Sequence, residues 1–386
     1  MARHLLVTND FPPKTGGIQV YLYELWRRLE PGRAVVLTAS SDANAASFDA
    51  ASGVVVERVA STTLYAPTPR ALRAIEDAIT RHQPDLVLID PAWPLGLLGP
   101  RLSRPYGVIL HGAEVAIPAR IPLVASSLRY VLRHATVAIC AGGYAQAEAQ
   151  RNCAESLPPV VQVSPGVDTK RFVPLDLHDR AEIRRGMGMA DGDLLVSSYS
   201  RLVPRKGMDT LLRASARLKV NFPSLRVVIG GTGRDLARLQ KLASSLGAPA
   251  TFIGRVPDEQ LVAWLGASDL MVMDCRSRWL GLEQEGFGIV FVEAGATGVA
   301  QIAGRSGGSH EAVLDGVTGT VVRNSHDVGE LALAMGELLS DDQRRAQYGR
   351  NARDVAVRYY DWDRLAVQLS GELAPFDHFL DAGQLF

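Results

Sequence analysis

Apolar positions along this chain come in short blocks separated by longer segments of mixed character. In the first half, unbroken apolar runs predict buried strands at 4–8, 34–38, 86–89, 107–110 and 137–141. Between them, apolar residues recur every three or four positions, which predicts helices at 18–29, 70–82 and 123–133. Unbroken apolar runs are typical of parallel strands that are covered on both faces. The pattern therefore predicts a doubly wound α/β sheet.

The same alternation restarts after a polar stretch that ends near Asp193. Further strands are predicted at 194–200, 226–230, 250–254, 270–273 and 300–303, and helices at 208–220, 234–246 and 258–265. Because 386 residues exceed what one hydrophobic core usually spans, two domains are expected. We predict an N-terminal Rossmann-like domain at 1–168 and a C-terminal one at 169–361. Helices at 341–359 and 362–373 flank Tyr360-Asp361, and the segment 362–386 is expected to pack back on the N-terminal domain.

The composition excludes several classes of protein. Lys plus Arg and Asp plus Glu both total 41, so no net charge attracts the molecule to nucleic acid. Three scattered cysteines form neither a disulfide framework nor a zinc motif. No apolar run is long enough to span a bilayer, and the N-terminal residues do not resemble a signal peptide. A cytoplasmic location is expected, at the inner face of the plasma membrane if the substrate is a lipid.

The chemistry-bearing motifs of the first half follow predicted strands. Gly16 and Gly17 lie between the first strand and the next helix, where backbone N–H groups can approach an anionic or hydroxyl-rich ligand. A tight turn without a ligand is an equal alternative. His111 begins the sequence His-Gly-Ala-Glu114 directly after a strand, so it lies where ligands of open α/β sheets bind. A lone histidine is more often structural, so its weight depends on its neighbours.

In the second half, cations and carboxylates follow the strands. Arg201 and Lys206 stand before a predicted helix, where they suit a diphosphate better than a solvated basic turn. The loop Gly230–Gly233 is favoured as simple turn chemistry. Glu285 lies in a glycine-rich entry and Glu293 about two turns into the next helix, where carboxylates can accept hydrogen bonds from sugar and ribose hydroxyls. Surface glutamates at a helix start are the alternative.

Taken in this order, the motifs resemble the retaining GT-B glycosyltransferases of family GT4, over nearly the whole chain. The segments Val7–Pro13, Ser200–Gly207 and Glu285–Phe291 look like the actinobacterial mannosyltransferases that transfer mannose from GDP-mannose to phosphatidylinositol monomannoside. The resemblance implies a GT-B fold, in which two Rossmann-like domains face each other across a cleft. It also implies a nucleotide-sugar donor, with GDP-mannose expected, and a glycolipid acceptor.

The resemblance also implies roles for individual residues. His111, Arg201, Lys206 and Glu285 would be catalytic, with the two cations neutralising the departing diphosphate and His111 beside the transferred sugar. Other donor contacts would be Gly16, Gly17, Arg255, Val256, Gly286, Phe287, Gly288, Ile289 and Glu293. Acceptor contacts are assigned to Asn9, Asp10, Gln19 and Glu114. No acid cluster resembles a metal site, and no carboxylate stands out as a nucleophile, so we expect metal-independent, same-face attack assisted by the leaving phosphate.

Three alternatives remain open at this stage. The chain could use another nucleotide sugar with a small-molecule or polysaccharide acceptor, it could be a sugar-nucleotide epimerase, or it could bind nucleotide sugars without catalysis. For the membrane, the segment 120–134 carries Arg120, Arg129 and Arg133 and no acid, which is typical of an interfacial helix. We slightly favour an ordinary amphipathic helix that covers the sheet.

Overall fold

The computed structural model describes residues 2–40, 44–61 and 63–377. The chain forms two compact units, of which the first comprises Met1–Pro165 with Trp362–Phe386 and the second Gly166–Asp361. Residues 378–386 of the predicted C-terminal segment lie outside the described residues.

The first unit is built on a seven-stranded parallel sheet with the strand order β3-β2-β1-β4-β5-β6-β7. The strands are β1 His4–Thr8, β2 Ala34–Ala39, β3 Val55–Val59, β4 Leu86–Asp90, β5 Tyr106–Leu110, β6 Ala138–Cys140 and β7 Val160–Gln162. The helices are α1 Gly17–Trp26, α2 Ala45–Ala51, α3 Pro69–His82, α4 Ala113–Ala116, α5 Pro122–His134 and α6 Gly143–Cys153. Leu5 and Val7 pack into one apolar cluster and Leu6 into another, so β1 is covered on both faces.

The second unit repeats this design with six parallel strands in the order β10-β9-β8-β11-β12-β13. The strands are β8 Leu194–Tyr199, β9 Leu225–Gly230, β10 Ala250–Gly254, β11 Leu270–Met273, β12 Gln301–Gly304 and β13 Gly319–Val322. The helices are α7 Leu177–Gly186, α8 Met208–Leu218, α9 Leu236–Leu246, α10 Asp258–Gly266, α11 Ile289–Ala296, α12 Val328–Ser340 and α13 Asp342–Tyr359. Both sheets reverse their strand order beside the central strand, which is where ligands of open α/β sheets bind.

The last helix, α14 Trp362–Glu372, belongs to the first unit although it follows the second in sequence. Trp362 packs near Tyr21 of α1 with ring centroids 6.3 Å apart, and Arg28 forms an ion pair with Asp363 at 2.8 Å. Burial of Trp362 and Leu365 in the core below α1 fixes α14 on this unit. The predicted break between α13 and α14 at Tyr360-Asp361 is confirmed.

The sequence pattern did not predict several elements of the structure. Helix α7 lies in the stretch that we described only as polar, because none of its residues is buried and no apolar face is present to indicate it. Strand β3 was not predicted because it is exposed or half-buried along its length and carries Glu57 and Arg58. The strands β7 and β13, of three and four residues, were also missed.

Candidate functional site

In the second unit, the loop after β8 carries Arg205 and Lys206 directly before Gly207, a position where close packing requires glycine. Residues Pro204–Lys206 form a single 3₁₀ turn, and Gly207 follows with φ of +70° as the N-cap of α8. A Cβ at Gly207 would lie 1.9 Å from the backbone oxygen of Asp274. Since a side chain would both clash and occupy the left-handed region, only glycine allows this turn to pack against the loop after β11.

Lys206 forms an ion pair with Glu285. Its Nζ lies 2.6 Å from Glu285 Oε2, and the two residues are 7% and 8% exposed. Arg205 Nε lies 3.7 Å from the same carboxylate oxygen, and the Cys275 thiol lies 3.8 Å from it. The structure therefore brings together Lys206 and Glu285, two residues that the sequence assigned to one site from positions 79 apart.

The backbone of Glu285 is held by the loop after β12. Its N–H donates to Ser306 Oγ at 3.3 Å, and its carbonyl oxygen accepts from the Gly308 N–H at 2.9 Å. A Cβ at Gly307 would lie 2.0 Å from the same carbonyl oxygen. The Ser306-Gly-Gly308 segment thus positions the carboxylate by close backbone packing.

The charge state of Glu285 follows from its neighbours. Burial alone would raise the pKa of this carboxyl, but the charges of Lys206 and Arg205 outweigh burial and hold the pKa below its usual value. Glu285 is therefore an ionised carboxylate at neutral pH. In this form it only accepts hydrogen bonds, so it can bind hydroxyl groups through their O–H donors.

Arg205, rather than Arg201, lies within 4 Å of the Glu285 carboxylate, although the charge of Arg201 also helps to lower the pKa of that carboxyl. Arg201 is exposed, and its guanidinium makes no hydrogen bond or ion pair with any part of the chain that the structure describes. Arg205, which the sequence analysis left without a role of its own, approaches Glu285. The sequence feature that could have indicated a role for Arg205 is its position next to Lys206 in a strand-to-helix loop. Arg255 and Val256 follow β10, with Arg255 exposed and Val256 half-buried.

Helix α11 begins later than the sequence pattern indicated. Gly288, at φ of +88°, is its N-cap, so Glu293 is the fifth residue of the helix and lies about one turn in, not two. Phe287 is buried against Tyr360, whereas Gly286 and Ile289 are half-buried. Burial raises the pKa of the Glu293 carboxyl to about 7, with Arg171 opposing this shift and Asp258 adding to it. No pattern in the sequence indicated that Arg171 is a neighbour of Glu293.

The glycine loop after β9 packs against the loop after β8. A Cβ on Gly231 would lie 1.8 Å from the backbone oxygen of Ser200, and a Cβ on Gly233 would lie 2.2 Å from the backbone oxygen of Leu202. The Leu202 N–H also donates to Thr232 O at 2.8 Å. These contacts account for the glycines by chain packing, which agrees with the turn that we favoured.

In the first unit, His111 is anchored by an acid on the neighbouring strand. His111 Nε2 lies 3.0 Å from Asp90 Oδ1, and Asp90 Oδ2 accepts from Thr8 Oγ1 at 2.6 Å. Burial lowers the pKa of His111, but its hydrogen bond to Asp90 and the charge of Asp90 outweigh burial and raise it overall. The sequence analysis missed Asp90. The signal was an acid at the carboxyl end of β4, which lies between β1 and β5 in the sheet.

The four residues assigned to the acceptor already make contacts within the first unit. Asn9 Oδ1 accepts from the Leu64 N–H at 3.0 Å, and Gln19 Nε2 donates to Asp10 Oδ1 at 2.7 Å. Glu114 Oε1 accepts from the backbone N–H groups of His111 and Gly112.

Gly16 and Gly17 lie at the start of α1, where Gly16 is the N-cap and no side chain caps the helix. The first N–H groups of α1 therefore make no hydrogen bond to a capping side chain. A helix start that binds an anion needs such N–H groups to be available to the ligand.

Helix α5 covers the sheet with one face and leaves the other to solvent. Ala125, Leu128, Val131 and Leu132 are buried, as an ordinary amphipathic helix requires. Arg120, Arg129 and Arg133 are exposed, and Leu123 is 86% exposed.

No helix among the described residues combines the length and apolar character that crossing a membrane requires. Within 2–40, 44–61 and 63–377, the exposed side chains of Asp176, His178 and Asp179 form the one group of three or more possible metal-ligating residues whose ligand atoms lie within 4.8 Å of one another.

Comparison with known proteins identifies the family of the chain. The family model described as glycosyl transferases group 1 matches residues 179–355, and the glycosyltransferase family 4 model matches residues 15–171. The chain is 40% identical to the GDP-mannose-dependent alpha-(1-6)-phosphatidylinositol monomannoside mannosyltransferase of Mycolicibacterium smegmatis, covering 95% of this chain and 98% of the relative. It is 37% identical to the protein of the same name from Mycobacterium tuberculosis, covering 96% and 97%.

Solved structures of lower identity share the fold. Anabaena HepE in complex with UDP superposes with a TM-score of 0.80 at 21% identity, covering 97% of this chain and 100% of that one. Sucrose-phosphate synthase from Thermosynechococcus elongatus has a TM-score of 0.80 at 19% identity, covering 99% and 100%. The predicted GT-B fold is confirmed. From the matched models and the relatives that align over almost their whole length, the chain is a glycosyltransferase and belongs to the family that contains the mycobacterial phosphatidylinositol monomannoside mannosyltransferases.

Proposed function

We propose that this protein transfers a mannosyl group from GDP-mannose to phosphatidylinositol monomannoside, at a site that needs no metal ion. The observation that carries the proposal is the buried Lys206–Glu285 pair at 2.6 Å, in a chain 40% identical to an enzyme named for this donor and acceptor. An ionised carboxylate beside fixed cations suits a substrate that carries both sugar hydroxyls and a diphosphate.

The second unit is proposed to bind the donor. Glu285 accepts hydrogen bonds from hydroxyls of the transferred sugar, and Glu293 does the same for the nucleotide ribose. Lys206 and the exposed Arg201 bind the diphosphate, with Arg255 and Val256 near the base. The N-terminus of α11, at Gly286–Ile289, adds backbone donors and the positive end of a helix dipole.

The proposed reaction needs no covalent intermediate. The acceptor hydroxyl oxygen forms a bond to the anomeric carbon while the bond from that carbon to the diphosphate breaks, and both of its electrons leave with GDP. A phosphate oxygen of the leaving group takes the hydroxyl proton on the same face of the sugar. Charge develops on the diphosphate as it leaves, and the positive charges of Lys206 and Arg201 stabilise it there in place of a divalent cation.

The first unit is proposed to contribute the remaining contacts. His111, fixed by Asp90, contacts the transferred sugar, and the open helix start at Gly16 and Gly17 contacts the diphosphate. Asn9, Asp10, Gln19 and Glu114 stay candidate acceptor residues. The exposed Arg120, Arg129 and Arg133 are proposed to approach an anionic membrane surface. Replacing Arg129 and Arg133 together by Glu should then reduce sedimentation with anionic vesicles, and unchanged sedimentation would contradict this part.

The deciding experiment is an incubation of the full-length protein with GDP-mannose and phosphatidylinositol monomannoside in detergent, with EDTA present, read by lipid mass spectrometry. A product heavier by one hexose is expected. It should be lost in Glu285→Ala and kept in Glu337→Ala, which removes an exposed glutamate of the same unit.

Other outcomes refute separate parts of the proposal. Loss of transfer in EDTA that added Mg²⁺ restores would refute metal independence. No transfer, but protection by GDP-mannose against thermal unfolding, would refute the acceptor and keep the donor. Absence of both would refute the donor. Conversion of the donor sugar without any acceptor would support an epimerase instead.

A further inference from the structure

The loop between β11 and α11 carries an apolar tip that neither the fold nor the donor site uses. Its residues Arg278–Glu283, here called the Trp279 loop, form a closed turn. The Arg278 N–H donates to Glu283 O at 2.9 Å, and the Glu283 N–H donates back to Arg278 O at 3.2 Å. The Arg278 guanidinium also contacts Glu283 Oε2 at 2.7 Å. Backbone and side-chain contacts therefore close the base of the loop.

The tip of the Trp279 loop presents apolar side chains to solvent. Leu280 is 95% exposed, Trp279 is 61% exposed and Leu282 is 36% exposed. Scattered exposed apolar residues are normal, but three within four consecutive positions form a patch. The Arg278 guanidinium lies over the Trp279 ring, 4.7 Å from its centroid. This places a cation at the inner edge of the apolar tip.

The backbone holds these side chains outward at a conformational cost. Trp279 and Leu280 have φ of +49° and +54°, a region that bulky L-residues rarely occupy. Among the described non-glycine residues, only Gln83 shares it. Residues held in such conformations are concentrated at active sites, ligand clamps and switch regions, which makes this loop a candidate functional segment.

The base of the Trp279 loop carries positive charge. The single carboxylate of Glu283 lies near three guanidinium groups, with Arg278 at 2.7 Å, Arg205 at 3.6 Å and Arg234 at 3.7 Å. Arg205 also lies beside Glu285, which pairs with Lys206, so the connected group has four cations and two carboxylates and keeps a net positive charge below the apolar tip. In an anionic phospholipid layer the phosphates lie at the surface and the acyl chains lie inside. An inserted tip of Trp279 and Leu280 would reach the acyl chains, and the arginines at the base of the loop would lie at the level of the phosphates.

The residues that flank the Trp279 loop are linked to the donor residue Glu285 through hydrogen bonds. Ser277 Oγ, just before the loop, lies 3.3 Å from Gln284 Oε1 and 3.4 Å from Ser306 Oγ. Ser306 in turn accepts from the backbone N–H of Glu285. A lipid surface that receives the tip would therefore lie close to the carboxylate that we assign to the transferred sugar.

We propose that the Trp279 loop inserts its apolar tip into the surface of an anionic phospholipid layer and so brings the donor unit to its lipid acceptor. The acceptor part of this inference rests on the proposed function. Contact with lipid does not, and it is measured separately from transfer.

The test uses the full-length protein and vesicles of phosphatidylcholine with phosphatidylinositol, with or without bromine at the middle of the acyl chains. Brominated vesicles should quench tryptophan emission in the wild type. In Trp279→Phe the quenching should disappear. That variant keeps Trp26 and Trp362, which are buried, and Trp93 and Trp264, which are half-buried. Trp93 donates to Ser127 of α5 at 3.1 Å and Trp264 lies in α10, so quenching that remains would indicate contact through α5 or α10 instead.

A second variant measures the strength of the contact. Leu280→Asp should lower the vesicle partition coefficient about tenfold, since it replaces an inserted leucine by a charge. Leu177→Asp is the matched control, because Leu177 is 87% exposed at the start of α7 in the same unit, and it should bind vesicles like the wild type. Protection by GDP-mannose against thermal unfolding should be kept in all three variants.

Two results would overturn the inference: quenching of Trp279→Phe equal to that of the wild type, or Leu280→Asp binding vesicles like the wild type. Equal quenching with vesicles of phosphatidylcholine alone would refute the role of the anionic headgroup. Failure of the proposed function is a different observation, namely that the wild type transfers no mannose in detergent. Quenching of Trp279 without any transfer would still support the lipid contact.

Discussion

Replacing Lys206 by Met tests whether the ion pair with Glu285 organises the donor site. At 2.6 Å, two opposite charges attract by on the order of 6 kcal/mol at an effective dielectric constant of about 20, before the cost of burying them is counted. Removing one partner of a buried pair typically destabilises a protein by about 3–5 kcal/mol. Arg205 remains 3.7 Å from the same oxygen and compensates part of the charge. We therefore expect a loss of about 3 kcal/mol at neutral pH.

The loss should depend on pH in a defined direction. In the wild type the depressed pKa of Glu285 contributes stability above the unfolded value of about 4.3, and this contribution is lost as pH falls through the folded pKa. Without Lys206, burial is opposed mainly by Arg205, so the pKa of Glu285 should rise. The difference in stability between wild type and variant should therefore shrink in acid.

The assay is urea unfolding of four proteins: the wild type, Lys206→Met, Glu285→Gln and the double variant. The double variant should be about 2 kcal/mol more stable than the sum of the two single losses predicts, because it leaves no unpaired buried charge. Lys241→Met, at an exposed position of α9, is the matched control and should change stability by less than about 0.5 kcal/mol. Turnover of Lys206→Met should fall by about a hundredfold.

Two results would refute the reasoning behind this prediction. A cost below about 1 kcal/mol for Lys206→Met would mean that the pair is not energetically coupled to the fold. Unimpaired turnover would remove Lys206 from the diphosphate site, whatever its effect on stability.

Three further predictions follow from single contacts. Asp90→Asn should lower the pKa of His111 in an NMR titration, because less charge then opposes the effect of burial. The wild type should be more stable to unfolding than this variant below pH about 6.5, and this difference in stability should disappear as pH rises through the His111 pKa of the wild type. Gly207→Ala should destabilise by about 3 kcal/mol or more in urea, against about 1 kcal/mol for Gly192→Ala, because both have positive φ but only Gly207 faces a backbone atom. Glu293→Gln should stabilise the free protein by on the order of 3 kcal/mol near pH 8.5, where the folded wild type must ionise a carboxyl whose pKa is raised from 4.5 to about 7, and by only a few tenths of a kcal/mol near pH 4, below the unfolded pKa.

Each of these predictions has an outcome that contradicts it. A His111 titration that does not change in Asp90→Asn would mean that the hydrogen bond at 3.0 Å does not set its pKa. Equal losses for the two glycine variants would mean that the backbone conformation, and not the close approach to Asp274, limits Gly207. A stability gain of Glu293→Gln that is the same at both pH values would exclude ionisation as its cause.

The sequence determined the class of fold and the place of the chemistry. Buried parallel strands must be apolar along their whole length, so β1, β4, β8 and β11 could be read directly from unbroken apolar runs. Their loops then had to carry the polar residues, since ligands of such sheets bind at the carboxyl ends of strands. Strand β3 lacked this signal because it is half-exposed, and α7 lacked it because it buries nothing.

Which side chains meet was decided by the tertiary structure alone. Arg201, Arg205 and Lys206 are all cations of one loop, and only the 3₁₀ turn before Gly207 directs Arg205 and Lys206 toward Glu285. Asp90 meets His111 because β4 and β5 are neighbours in the sheet, although the residues are 21 positions apart. Residue type and spacing specify local elements, because these depend on short-range periodicity. Ion pairs between distant loops depend on strand order and on backbone approaches of about 3 Å, which no local pattern encodes.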